Sequence, residues 1–146
     1  MTNGTMYYTD LPSRLLEYIH DETSDSLYYR ELANQAPNQR ARELFMEFSE
    51  DEAQHAANFR GVYCRLTGMQ PMVPPVSPPQ IPPYCDAIKA RIMAESGDLV
   101  KYGEESANAP DMMLRNLFYI TSLIEGRHGL RLTTLMCGVD DEKHKC

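Results

Sequence analysis

One stretch of the chain keeps the period of a helix but breaks the rule of an apolar core. Phe45, Phe48, Glu52, His55, Phe59 and Val62 follow one another in steps of 3, 4, 3, 4 and 3. That spacing puts all six on one helix face. Four are apolar, and the middle of the stripe is Glu-x-x-His. The same steps recur at Phe118, Thr121, Glu125, His128, Leu132 and Leu135. Two further segments behave alike: Ile19 and Tyr29 frame Glu22 and Asp25, and Ile92 and Tyr102 frame Glu95 and Asp98.

These are two copies of one unit, aligned without a gap at an offset of 73 residues. Each copy reads as helix, short turn, helix, with turns expected at Ala36-Pro37-Asn38 and Ala109-Pro110-Asp111. Between the copies, seven of the ten prolines fall in Pro71 to Pro83. That stretch cannot be helical. Two helical hairpins make a four-helix bundle, so the fold class is all-α. The expected division is one domain over 1–146: hairpin 1 at about 12–67, a crossover at 69–83, hairpin 2 at about 84–137, and a tail at 138–146. A Pro-rich strand rising about 3.1 Å per residue can run the length of a helix of about 28 residues.

The depths of the polar residues agree. Glu22 and Glu52 each lie 15 residues from Pro37, and Glu95 and Glu125 each lie 15 from Pro110. At 1.5 Å per residue all four sit about 22 Å from their turns. Four glutamates and two histidines should therefore meet at one level inside the bundle. A buried ionised carboxylate costs several kcal/mol, and four together demand a counter-charge. Two divalent cations supply it, and oxygen-rich ligation with one imidazole per ion suits iron or manganese. One Glu from each of two helices plus Glu-x-x-His from the other two is a known ligand set of di-iron and di-manganese bundles.

Composition adds limits. The net charge of -7 over 146 residues argues against a nucleic-acid binder. No apolar run approaches the roughly 18 residues of a membrane span, and MTNGTMYYTD lacks a secretory pattern. A soluble, cytoplasmic protein is expected. Cys64, Cys85, Cys137 and Cys146 form no CxxC pair, so no zinc ribbon or rubredoxin-type site is encoded. In a reducing cytosol they are expected as free thiols, with Cys64 and Cys137 as small buried hydrophobes.

The fragments HDETSDSLYYRELA, SEDEAQHA, AESGDLVKYGEESA and SLIEGRHG resemble the rubrerythrin and ferritin-like family over residues 12 to 137. The resemblance implies an up-down-down-up bundle with Glu22, Glu52, His55, Glu95, Glu125 and His128 as metal ligands, and with Glu52 and Glu125 bridging. It implies two iron ions, with manganese, a mixed pair, or zinc as purified as alternatives. It also implies a peroxidase-like oxidoreductase acting on peroxide or dioxygen, a homodimer, and no membrane or nucleic-acid partner. Rubrerythrins usually carry an attached rubredoxin site; this chain has none, so electrons would come from a separate donor protein. Where many of them place a second Glu in helix 3, this chain has Asp98, mirrored by Asp25. Each Asp is expected to accept a hydrogen bond from the opposite histidine rather than bind metal. Tyr29 and Tyr102 are read either as partners of the ligand carboxylates or of bound peroxide, or as large core residues. Iron storage and a metal-stapled structural role, as in spore coats, stand as alternatives.

Overall fold

The computed structural model describes residues 3–146. Four long helices account for most of it: α1 (Asn3–Asn34), α2 (Gln39–Thr67), α3 (Tyr84–Asn108) and α4 (Met112–Met136). A single short 3-10 turn follows at Glu142–His144. No strand occurs among the described residues. No helix is long and apolar enough to cross a membrane.

The helix starts repeat along with the stripes. Asn38 caps α2 by accepting from the Ala41 amide at 2.8 Å. Asp111, its counterpart 73 residues on, caps α4 by accepting from the Leu114 amide at 2.9 Å. Each side chain satisfies one of the amides that a helix start leaves unpaired. At the other end of α2, Gly68 adopts φ 71° and closes the helix with a bond to the Cys64 carbonyl. Glycine meets no Cβ penalty there.

The core consists of two apolar clusters, one at each end of the bundle. One joins the start of α1 (Leu11, Leu15) and the end of α2 (Phe59, Val62) to the end of α3 (Tyr102) and the start of α4 (Leu114, Phe118). The other joins the opposite ends, through Leu32, Phe45, Ile88 and Leu132. α1 therefore runs antiparallel to α2 and α3, and parallel to α4, which is the up-down-down-up order. The segment between α2 and α3 has no regular structure, and it spans the bundle. Val73 packs on the first cluster and Ile81 on the second.

α1 begins at Asn3, well before the expected start near residue 12. Pro12 lies inside it. The extra turns are held by tertiary contacts: Leu11 is fully buried and Tyr7 donates to Glu105 at 2.7 Å. Glu105 also takes hydrogen bonds from Arg14 Nε at 2.5 Å and Tyr18 at 2.6 Å. Burial pushes its carboxyl up, but the bonds from Arg14, Tyr18 and Tyr7 outweigh this and hold it below the usual range. A depressed carboxyl contributes stability above its unfolded pKa and loses it as pH falls through the folded value. Glu105→Gln should therefore cost about 1–3 kcal/mol at neutral pH. The deficit should shrink below about pH 4. Urea melts of both proteins across that range would show a pH-independent difference if this is wrong.

The cysteines depart from expectation. Cys85 and Cys146 form a disulfide. Cys64 is half-buried and Cys137 exposed, so neither is a buried hydrophobe. The bond forms because the tail turns back at Gly138 (φ 66°) and lies over the start of α3. Asn38 donates to Asp141 there at 2.7 Å. Spacing along the chain could not show this contact, and the pairing removes the argument that all four thiols sit reduced.

Candidate metal centre

Between the two apolar clusters the bundle carries a polar layer. Glu22, Glu52, His55, Glu95, Glu125 and His128 all come to it, each no more than 2 % exposed. Their donor atoms sort into two overlapping groups, each able to hold a metal ion. One is Glu22, Glu52, His55 and Glu125; the other is Glu52, Glu95, Glu125 and His128.

Glu52 and Glu125 belong to both groups and divide their oxygens between them. His55 Nδ1 lies 3.0 Å from Glu52 Oε2, 2.9 Å from Glu125 Oε1 and 3.4 Å from Glu22 Oε2. His128 Nδ1 lies 3.0 Å from Glu52 Oε1, and 3.6 Å from both Glu95 Oε2 and Glu125 Oε2. One ring nitrogen facing three carboxylate oxygens cannot hydrogen-bond all of them. Several approaches are also off-line: Glu52 Oε1, Glu95 Oε2, Glu125 Oε1 and His128 Nδ1 are buried without a hydrogen-bond partner. Leaving such groups unpaired is costly. Donors that converge with several of their atoms left unbonded fit a cation between them.

Without a cation, the electrostatics are strained in both directions. Burial opposes charge on His55, but the facing carboxylates of Glu125, Glu22 and Glu52 outweigh it and push its pKa up to about 12. His128 is raised in the same way by Asp51 and the glutamates. Burial and the neighbouring carboxylates Glu125 and Glu22 hold Glu52 well above the usual range. Burial pushes Glu125 up to about 7. Imidazolium and shared protons thus stand where a metal would, and metal uptake must expel them.

Around this layer the halves cross over. Tyr29 on α1 donates to Glu95 Oε1 on α3, and Tyr102 on α3 donates to Glu22 Oε1 on α1. Burial raises both phenols well above their ordinary value, so they remain donors. Each bond fixes the outer oxygen of a terminal glutamate and leaves the other facing the cage.

The aspartates sit elsewhere than expected. Asp25 pairs with Arg91 through two bonds of 2.9 Å, and Asp98 pairs with Lys101 at 2.7 Å. Neither meets a histidine, because a basic side chain reaches each first. Asp51 takes that place, with its Oδ2 2.8 Å from His128 Nε2. Arg91 also donates to Glu95 Oε1 at 2.7 Å. Neither Asp51 nor Arg91 stood out in the sequence. The signal available was a break in the repeat: Asp51 aligns with Ile124, and Arg91 with Tyr18.

Fold and site together define a helical-bundle protein whose carboxylate–histidine cage suits two metal ions. Residues 15–75 match the Rubrerythrin family, in agreement with the resemblance read from the sequence. That segment holds Glu22, Glu52 and His55; the internal repeat carries the pattern into the second hairpin. No curated protein and no solved structure matches the chain.

Proposed function

We propose that this protein holds two iron ions and uses them to reduce peroxide or dioxygen, with electrons from a separate donor protein. Glu22 and His55 would hold one ion, Glu95 and His128 the other, and Glu52 and Glu125 would be shared. The observation that carries this reading is the sharing: two carboxylates each turn one oxygen to either group. Oxygen-rich donors with one imidazole per ion suit iron or manganese better than copper. A reduced iron pair supplies the two electrons that cleavage of an O–O bond requires.

The chain's own residues do the rest. Tyr29 and Tyr102 orient the terminal carboxylates, and burial keeps their hydroxyl protons in place. The aromatic layers at either end limit water: Phe48 and Phe59 are fully buried, and Phe48 packs against the His128 ring at 4.3 Å. The test is stopped-flow mixing of anaerobic, ferrous-loaded protein with hydrogen peroxide. Oxidation should be at least tenfold faster than for free ferrous ion. Equal rates would remove the peroxidase reading.

For the homodimer, we place the contact on the outer face of α3 and α4. A groove there is lined by Ile92, Leu99, Leu123, Gly126 and Leu130, with Arg127 among its polar residues. The matching groove on the first hairpin is lined by Thr23, Ser26, Leu27, Ala53, Ala57 and Arg60. A chain of charge -7 repels its copies, so self-association favours a face poor in exposed carboxylates. Position 50 is Glu on the first hairpin, and its counterpart, position 123, is Leu on the second. Two helices of 25 residues present a face of about 37 by 20 Å, close to the roughly 800 Å² per partner of a standard interface. Light scattering should give a dimer, and Leu123→Glu with Leu130→Ala should give a monomer. A monomeric wild type would refute the placement.

A further inference from the structure

The two hairpins repeat the cage, but they do not repeat what stands behind it. On one half, His128 Nε2 is bonded to Asp51, and Asp51 is itself held by Arg127 at 2.9 Å. On the other, His55 Nε2 is buried with no hydrogen-bond partner among the described residues. The position equivalent to Asp51 is Ile124, which cannot accept a hydrogen bond. The terminal glutamates differ in the same sense. Glu95 Oε1 takes bonds from both Tyr29 and Arg91, whereas Glu22 Oε1 takes the one from Tyr102. The residue equivalent to Arg91 is Tyr18, whose hydroxyl is turned to Glu105 instead.

Each donor of the Glu95–His128 half thus has one anchor more than its counterpart. We propose that the two metal positions are inequivalent and that the Glu95–His128 position fills first, with Asp51 and Arg91 as the positioning residues. The inference rests on the metal reading given above and adds an order to it. The reason is preorganisation. A ligating imidazole whose far nitrogen is held keeps its near nitrogen on the metal, and loss of such a partner typically costs 10–100-fold in affinity. Nδ1 of both rings faces the cage, but only the His128 ring is held at Nε2.

The positive charge of Arg91 argues the other way, since a guanidinium beside a ligand repels a cation. The geometry offsets it. Both carboxylate oxygens of Asp25 bond the same guanidinium at 2.9 Å, so the pair is nearly neutral. What remains is the tether on Glu95. Lys101 and Asp98 form a comparable neutral pair on the other half at 2.7 Å. Lys101 lies over the ring of Tyr102 at 4.6 Å rather than in that carboxylate's hydrogen-bonding circle.

The test follows the histidine rings directly. Full-length, metal-free protein labelled with ¹⁵N-histidine receives one equivalent of Zn²⁺ and is read by NMR, with resonances assigned from single histidine variants. The wild type should show ligation at His128 Nδ1 and little at His55 until a second equivalent is added. Asp51→Ile, which copies Ile124 onto this half, should weaken the first step about 10–100-fold and divide the ion between the two rings. Asp51→Asn keeps an acceptor for Nε2 and should keep the order. Ile124→Asp gives His55 an acceptor of its own. It should bring the two steps together, and it carries the test if Asp51→Ile fails to fold. One equivalent spread evenly in the wild type, or Asp51→Ile and Ile124→Asp both leaving the order unchanged, would overturn the inference alone. No zinc bound at any ratio would overturn the metal reading as well.

Discussion

Loading the metal-free protein with two ferrous ions per chain raises its thermal midpoint by roughly 10–20 °C. An ion present at 100 times its Kd stabilises by about 2.7 kcal/mol, and two ions double that. For a domain of this size each kcal/mol moves the midpoint by about 2–4 °C. The gain is large because the metal-free cage is poor: four buried glutamates share two imidazoles, and several donor atoms bond nothing. Glu52→Ala and Glu125→Ala should each abolish most of the rise, since each residue gives an oxygen to both groups.

The rise should also depend on pH, with a definite sign. In the metal-free protein burial disfavours charge on His55, but Glu125, Glu22 and Glu52 raise its pKa to about 12. A raised histidine contributes stability that is fully present below its unfolded value, about 6.5. That contribution is lost only as pH climbs through the folded value. Metal must displace this proton, so the metal-induced rise should grow from pH 5 to pH 8. Differential scanning fluorimetry under anaerobic conditions, with and without ferrous ion, would reveal both effects. No rise at any pH would mean that the cage is a polar layer and not a metal site.

Replacing Arg91 with Met should cost about 3–5 kcal/mol, the penalty for breaking a buried ion pair by removing one partner. The guanidinium makes three bonds: two to Asp25 and one to Glu95. It is itself 7 % exposed. Its loss would leave Asp25 without a partner beside an already crowded set of carboxylates. Combining Asp25→Asn with Arg91→Met should recover part of the loss, because a neutral amide tolerates the site better than an orphaned charge. Two ferrous ions should reduce the deficit too, by neutralising Glu95. Chemical denaturation of the four proteins in the cycle would measure it. A deficit under about 1 kcal/mol, the range of an exposed pair, would show that Arg91 is only a surface charge with a buried stem.

How far the sequence went can be judged residue by residue. Period and repeat were enough to bring Glu22, Glu52, His55, Glu95, Glu125 and His128 to one level, because helical rise and a common turn position set their depth. The turns at Asn38 and Asp111 were legible in the same way; that these two side chains cap α2 and α4 came from the structure. The start of α1 was not, because Tyr7 and Leu11 are held by residues of the second hairpin. The expected beginning lay near residue 12. Asp25 and Asp98 were matched to the wrong partners, since direction around a helix does not say which of several polar side chains arrives first.

By itself, then, the sequence determined the doubled hairpin, a proline crossover long enough to run the length of the bundle, and the six polar residues at mid-bundle. These follow from periodicity and chain geometry, which are local. Only the tertiary structure decided that Glu52 and Glu125 split their oxygens between two groups, that Tyr29 and Tyr102 reach across to the opposite hairpin's glutamate, that Cys85 meets Cys146, and that Asp51 and Arg91 make the halves unequal. Each of these is a contact between side chains far apart in the chain. Such contacts depend on distances of an ångström or so between packed helices, which no spacing along one helix encodes.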